Sequence, residues 1–101
     1  MSADLRFLLC DGLYAENLTK IFTICDLRFE EHPALYGALQ YICSRLAEEY
    51  DSQAIPTDRY TRIMSELQTP LLALFDAASA PAETFLSRLN DALLAFKRLY
   101  A

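Results

Sequence analysis

The chain has 101 residues, of which 53% are apolar and 23% charged, and its formal net charge is −5. This length predicts one domain spanning 1–101. The acidic balance, without clustered Lys and Arg, argues against sequence-independent binding to nucleic acid, and no apolar run reaches the roughly 18 residues of a membrane span. Abundant Leu and Ala, with no Val or Trp, predict an all-α fold.

The first segment predicts a short helix. Leu5, Leu8 and Leu9 form an apolar stripe, and Gly12 stops or bends the segment. A helix this short is not stable alone and must dock on the rest of the chain. A strand over Leu5–Cys10 is the alternative.

The second segment, from about Tyr14 to Glu31, predicts a longer helix. Its apolar stripe consists of Tyr14, Leu18, Ile21, Phe22, Cys25 and Phe29. Ile24 and Leu27 lie off this stripe, which suggests contact with a further helix or with another subunit. A strand within residues 21–29 is the alternative, because β-branched residues gather there.

The central segment, Pro33–Tyr50, predicts a helix with a face too wide for one neighbour. Pro33 suits the first helical position, where its missing N–H is not needed. The main stripe consists of Leu35, Leu39, Ile42, Leu46 and Tyr50. Gly37 costs about 1 kcal/mol relative to Ala in a helix. It indicates either close approach of a neighbouring helix or a groove for a partner's side chain.

The fourth segment keeps a helical stripe from Thr57 to Ala78, although Pro70 lies inside it. A proline there removes one hydrogen bond and crowds the preceding turn. Because the stripe keeps its phase across Pro70, one kinked helix is favoured. In the alternative arrangement, Thr69 caps a new helix that begins at Pro70.

The last segment follows Pro81 and carries two apolar stripes. The first consists of Phe85, Leu89, Ala92, Phe96 and Leu99, and the second of Leu86, Leu93 and Tyr100. A bundle of this size covers one such stripe well, so the second predicts a partner, most simply a symmetry-related copy. Together the segments predict an antiparallel bundle of four long helices plus a short N-terminal helix.

Few residues offer the chemistry of catalysis or metal binding. His32, the single histidine, lies in a polar turn and is predicted to be a surface or capping residue. Cys10, Cys25 and Cys43 are too far apart for a zinc-ligand pair and are predicted to be buried, inert thiols in a reducing compartment. We therefore expect no catalytic residue, no metal, no cofactor and a cytoplasmic location.

The surplus of apolar side chains leads to the functional prediction, because a small domain cannot bury them all. We expect a non-enzymatic protein–protein interaction module, a homodimer, that presents apolar helix faces to itself or to a client protein, with no nucleic acid and no membrane. The alternative is an acidic chaperone, an immunity or inhibitor protein, or an accessory subunit that binds one specific partner. A well-packed monomer is the competing expectation. The predicted partner-binding residues are Ile24, Leu27, Tyr41, Leu86, Leu93 and Tyr100.

Overall fold

Five α-helices build the part of the chain that the computed structural model describes, residues 2–52 and 54–100. They are α1 (Ser2–Asp11), α2 (Ala15–Leu27), α3 (Pro33–Ser52), α4 (Thr57–Asp76) and α5 (Ala82–Leu99). Short 3-10 turns at Phe29–Glu31 and Ala77–Ser79 follow α2 and α4. Neither described range contains a strand, so the all-α prediction is confirmed and both strand alternatives are wrong.

The helices form an up-and-down bundle in which each long helix runs antiparallel to the next. α2 packs on α3, α4 packs on α5, and α1 lies against both α2 and α4. α3 and α5 run parallel and meet along a seam where they touch less closely. His32 stacks on Phe85 at the start of this seam, and Tyr41 meets Phe96 further along it. The predicted bundle of four long helices plus a short one is confirmed.

Leucine and isoleucine fill the core between the helices. The largest fully buried side chains are Leu5, Leu9, Leu13, Leu18, Ile21, Leu35, Leu39, Ile42, Leu46, Ile63, Leu67 and Leu71. Because residues three and four apart share one side of a helix, the main apolar stripe of each helix faces this common interior. In the described ranges, no helix has both the length and the apolar composition needed to cross a membrane.

α4 continues through Pro70 as one helix, as predicted, and the kink at Pro70 stays a prediction. The alternative in which Thr69 caps a new helix is therefore wrong. Leu67 and Leu71, on either side of the proline, are both fully buried. An internal proline costs a helix about 3 kcal/mol, and the burial of these leucines against the core offsets that cost.

α2 ends at Leu27, four residues before the predicted end at Glu31. The chain tightens into the 3-10 turn instead, and the Phe29 ring then lies over Gly37. A Cβ on residue 37 would stand 3.5 Å from the nearest ring atom. The close approach predicted at Gly37 is therefore made by an aromatic side chain of the preceding turn, at an ordinary van der Waals distance, and not by a neighbouring helix.

Gly37→Ala is expected to raise the free energy of unfolding by about 0.5–1 kcal/mol, because alanine forms helix better than glycine. The added methyl group would meet Phe29 ring atoms at 3.5 and 3.6 Å, without a clash. Urea denaturation of both proteins under one buffer condition measures the difference. A lower midpoint for the variant would contradict the prediction, since it would mean that the Phe29 ring cannot accommodate the methyl group.

Candidate functional site

A groove of about 300 Å³ opens along the seam between α3 and α5. Its lining residues are Tyr41, Arg45, Leu93, Phe96, Lys97 and Tyr100. The structure thus brings together three of the predicted partner-binding residues, Tyr41, Leu93 and Tyr100. Leu86 lies two turns before Leu93 on the same side of α5. We call the groove together with Leu86 the α3/α5 face.

Aromatic rings form the floor of the groove. The Phe96 ring is buried and meets Tyr41 edge-on, with 5.6 Å between ring centroids. On its other flank Phe96 meets Tyr100 at 5.1 Å. Such ring pairs add about 0.5–1.5 kcal/mol beyond the area they bury. The floor is therefore fixed by three rings, while the Tyr41 side chain stays 56% exposed at its outer edge.

Two cations flank this aromatic floor. The Arg45 guanidinium carbon lies 5.3 Å from the centroid of the Tyr100 ring, and the exposed ion pair of Arg45 with Glu48 is long, at 3.9 Å. Lys97 is exposed and forms no ion pair with any residue in the described ranges. Although the chain as a whole is acidic, the groove itself is lined by two cations and no acid, which suits an acidic group.

A network behind the groove ties three helices together. Arg59 on α4 donates two hydrogen bonds to the Glu49 carboxylate on α3, from Nε to Oε2 at 2.7 Å and from Nη2 to Oε1 at 2.9 Å. Its Nη1 donates to the carbonyl oxygen of Leu99 at 3.3 Å. The Tyr100 hydroxyl donates to Glu49 Oε1 at 2.8 Å. The two charged side chains are largely shielded from solvent.

These contacts fix the protonation states in the network. The hydrogen bonds from Arg59 lower the pKa of Glu49 against the opposing effect of burial, and the Tyr100 hydroxyl lowers it further. Burial, with the hydrogen bond to Glu49, raises the pKa of Tyr100 to about 12. At neutral pH the carboxylate is therefore ionised and the phenol is protonated, so Tyr100 is held in place as a hydrogen-bond donor.

The two predicted partner-binding residues on α2 lie apart from the α3/α5 face. Ile24 is partly buried and packs against the core, which agrees with the predicted contact with a further helix. Leu27 is 81% exposed at the end of α2. On α5, Leu86 is 55% and Leu93 37% exposed, whereas Tyr100 is partly buried. Of these five predicted partner-binding residues, the three leucines are exposed, and Ile24 and Tyr100 are partly covered by the chain itself.

His32 caps α3, as predicted. Its Nδ1 accepts a hydrogen bond from the backbone N–H of Leu35 at 3.3 Å. The ring also stacks on Phe85, with 4.5 Å between centroids. Because Nδ1 is the acceptor, the neutral ring carries its proton on Nε2. The hydrogen bond caps the start of α3, and the ring stacking joins it to the start of α5.

Two of the three cysteines are buried, as predicted, and the third is not. Burial raises the pKa of the Cys25 and Cys43 thiols to about 12, so both stay protonated at neutral pH. Cys10 is exposed, because α1 turns its leucines toward the core and leaves Cys10 beside Arg6, with 3.7 Å between Nη1 and Sγ. Across residues 2–52 and 54–100, no group of three or more His, Cys, Asp or Glu side chains is placed to hold a metal ion.

No protein-family model matches the chain, and no curated protein or solved structure matches it either.

Proposed function

We propose that this chain is a non-enzymatic protein–protein interaction module that works as a cytoplasmic homodimer and docks through the α3/α5 face. The supporting observation is that Leu86, Leu93 and Tyr41 lie exposed outside a core that is already closed beneath them. Apolar residues beside aromatic rings, with charges at the edge, are typical of binding surfaces. The free thiols of the chain suit the reducing cytoplasm.

The composition of the face also suits binding. Tyr and Arg are enriched among the residues that dominate binding energy, and the face offers Tyr41 and Arg45 at its open edge. A docked partner would remove water from Leu93 and from the outer side of the Tyr41 ring. The rings beneath them are already fixed, so few side chains lose freedom on binding.

Leu93→Glu is expected to weaken self-association roughly tenfold or more, because it places an unpaired charge where the partner excludes water. Sedimentation equilibrium at micromolar concentrations measures the dissociation constants of wild type and variant. Phe7→Glu is the matched control, since Phe7 is an exposed aromatic residue on α1, outside the α3/α5 face. Far-UV circular dichroism checks that both variants fold.

Two outcomes would contradict the proposed function. The first is a wild-type chain that sediments as a folded 11.5 kDa monomer over the whole concentration range. The second is equal weakening by Phe7→Glu and Leu93→Glu, which would place the contact elsewhere or make it unspecific. Weaker association in Leu93→Glu but not in Phe7→Glu supports docking through the α3/α5 face.

A further inference from the structure

The outer side of α5 carries a stripe with alternating spacings of three and four residues. Its members are Glu83, Leu86, Asn90, Leu93 and Lys97. All five are exposed, although this spacing is the one by which two helices pack along a common seam. The stripe covers 14 residue steps, or about 21 Å of helix. It is long enough to form a helix–helix contact.

The stripe is close to symmetric about its midpoint. Glu83 lies seven residues before Asn90 and Lys97 lies seven residues after it, with opposite charge. Leu86 and Leu93 lie four before and three after it. If two such helices are laid antiparallel with their Asn90 residues together, each acid meets a base and each leucine meets a leucine. The surface is therefore complementary to itself, as a two-fold interface requires.

The polar members of the stripe have no partner in the part of the chain that the structure describes. In the described residues, Glu83 and Lys97 form no ion pair and the Asn90 side chain forms no hydrogen bond. Elsewhere on α5 an exposed pair does form: Arg88 lies 3.7 Å from Asp91 on a different side of the helix. The side chains of the stripe thus remain available for groups from outside the chain.

We infer that the two copies of the proposed homodimer meet through their α5 helices, which pack antiparallel about a two-fold axis at Asn90. This inference rests on the proposed function and specifies the register of its interface. The partner's Glu83 pairs with Lys97, and the partner's Leu86 packs against Leu93. The two Asn90 amides meet on the axis, where a polar residue in an apolar seam fixes the register.

The groove beside α5 provides the cations that pair with the partner's Glu83. Arg45 and Lys97 both line it. An antiparallel α5 that crosses at Asn90 places the partner's Glu83 about 10 Å along the axis from the crossing, level with Lys97. There the partner's carboxylate faces Lys97 directly and Arg45 across the groove. In this arrangement the two cations that line the groove meet the carboxylate of the other copy.

Charge reversal tests the register. Lys97→Glu and Glu83→Lys should each raise the dissociation constant of the homodimer about tenfold at low ionic strength, because either change creates two like-charge pairs per dimer. An equimolar mixture of the two variants should associate about as tightly as wild type, since all its cross-pairs are again opposite in charge. The double variant Glu83→Lys/Lys97→Glu should likewise recover. Arg98→Glu, the same change at the next residue and on another side of α5, is the matched control and should leave association unchanged.

A cross-link provides an independent measurement. Asn90→Cys in a Cys10→Ser background should form a disulfide-linked dimer under mild oxidation, because two-fold symmetry brings residue 90 beside its own copy. Asp91→Cys, one residue away on a different side of α5, should link much more slowly. Equal rates for the two, or failure of the mixed charge variants to recover, would overturn the antiparallel register. If Leu93→Glu still weakens association and Phe7→Glu does not, the proposed function stands and only the inferred register is wrong.

Discussion

Gly12→Ala should lower the free energy of unfolding by about 2–4 kcal/mol, a large share of the stability of a small domain. Gly12 lies between α1 and α2 with φ +149°, in a region that side chains rarely adopt. Residues forced into such backbone conformations lose about 1–3 kcal/mol. A Cβ would also stand 2.6 Å from the Tyr60 hydroxyl oxygen and 3.1 Å from the Tyr14 ring.

The backbone and steric contributions can be measured separately. Tyr60→Phe removes the hydroxyl that a Cβ at residue 12 would meet, so Gly12→Ala should cost less in a Tyr60→Phe background. The loss of unfolding free energy that Gly12→Ala still causes in that background measures the backbone strain.

Gly37→Ala is the matched control, because it introduces the same methyl group in a helical conformation without a clash. Urea unfolding of wild type, the two single variants and the double variant measures the coupling energy between residues 12 and 60. A Gly12→Ala variant as stable as wild type would contradict the strain predicted for alanine at residue 12.

Arg59→Met should lower the free energy of unfolding by about 2 kcal/mol. The substitution leaves the shielded Glu49 carboxylate without its two charged hydrogen bonds and the Leu99 carbonyl without that donor. Removing one partner of a fully buried pair costs about 3–5 kcal/mol, and exposed pairs contribute about 0–1 kcal/mol. Side-chain exposures of 22% for Arg59 and 16% for Glu49 place this pair between the two limits. A matched control is Arg88→Met, which breaks an exposed pair and should change stability little.

The same network should give stability a pH dependence. The pKa of Glu49 is lowered in the folded chain from its ordinary value of 4.5. Its contribution is therefore fully present above about pH 4.5 and is lost as the pH falls through the lowered value. Glu49→Gln cannot titrate, so the stability difference between wild type and this variant should shrink below pH 4.5. Urea unfolding at a series of pH values tests this, and a constant difference down to pH 3 would contradict the assignment.

The helices could be predicted from the sequence because their apolar periodicity is long and unbroken. Leu35, Leu39, Ile42 and Leu46 are all fully buried, as their spacing requires. The edges of a stripe are harder to predict. Phe22 belongs to the predicted stripe of α2 yet is exposed, because periodicity gives the direction of a face but not where its neighbours stop covering it.

The network behind the groove could not be predicted, because its members belong to three different helices. Glu49 and Arg59 are ten residues apart and Tyr100 is 51 residues from Glu49. In the sequence Glu49 is one of two adjacent acids that are typical of a solvated helix surface. Only the packing of α3, α4 and α5 turns Glu49 inward and leaves Glu48 exposed. Asn17 is similar: it is buried, and its side-chain amide donates a hydrogen bond to the Gly12 carbonyl, a partner set by the turn.

α5 is anchored at both of its ends, by the stacking of His32 on Phe85 and by the contacts of Leu99 and Tyr100 with Arg59 and Glu49. The helix that carries the outer stripe is therefore already held in place in the free chain. For the proposed homodimer we therefore expect rigid-body docking, with no folding step between collision and complex. The association rate should then be limited by orientation, at about 10⁵–10⁷ M⁻¹s⁻¹, and changes at the apolar positions Leu86 and Leu93 should act mainly on the lifetime of the complex.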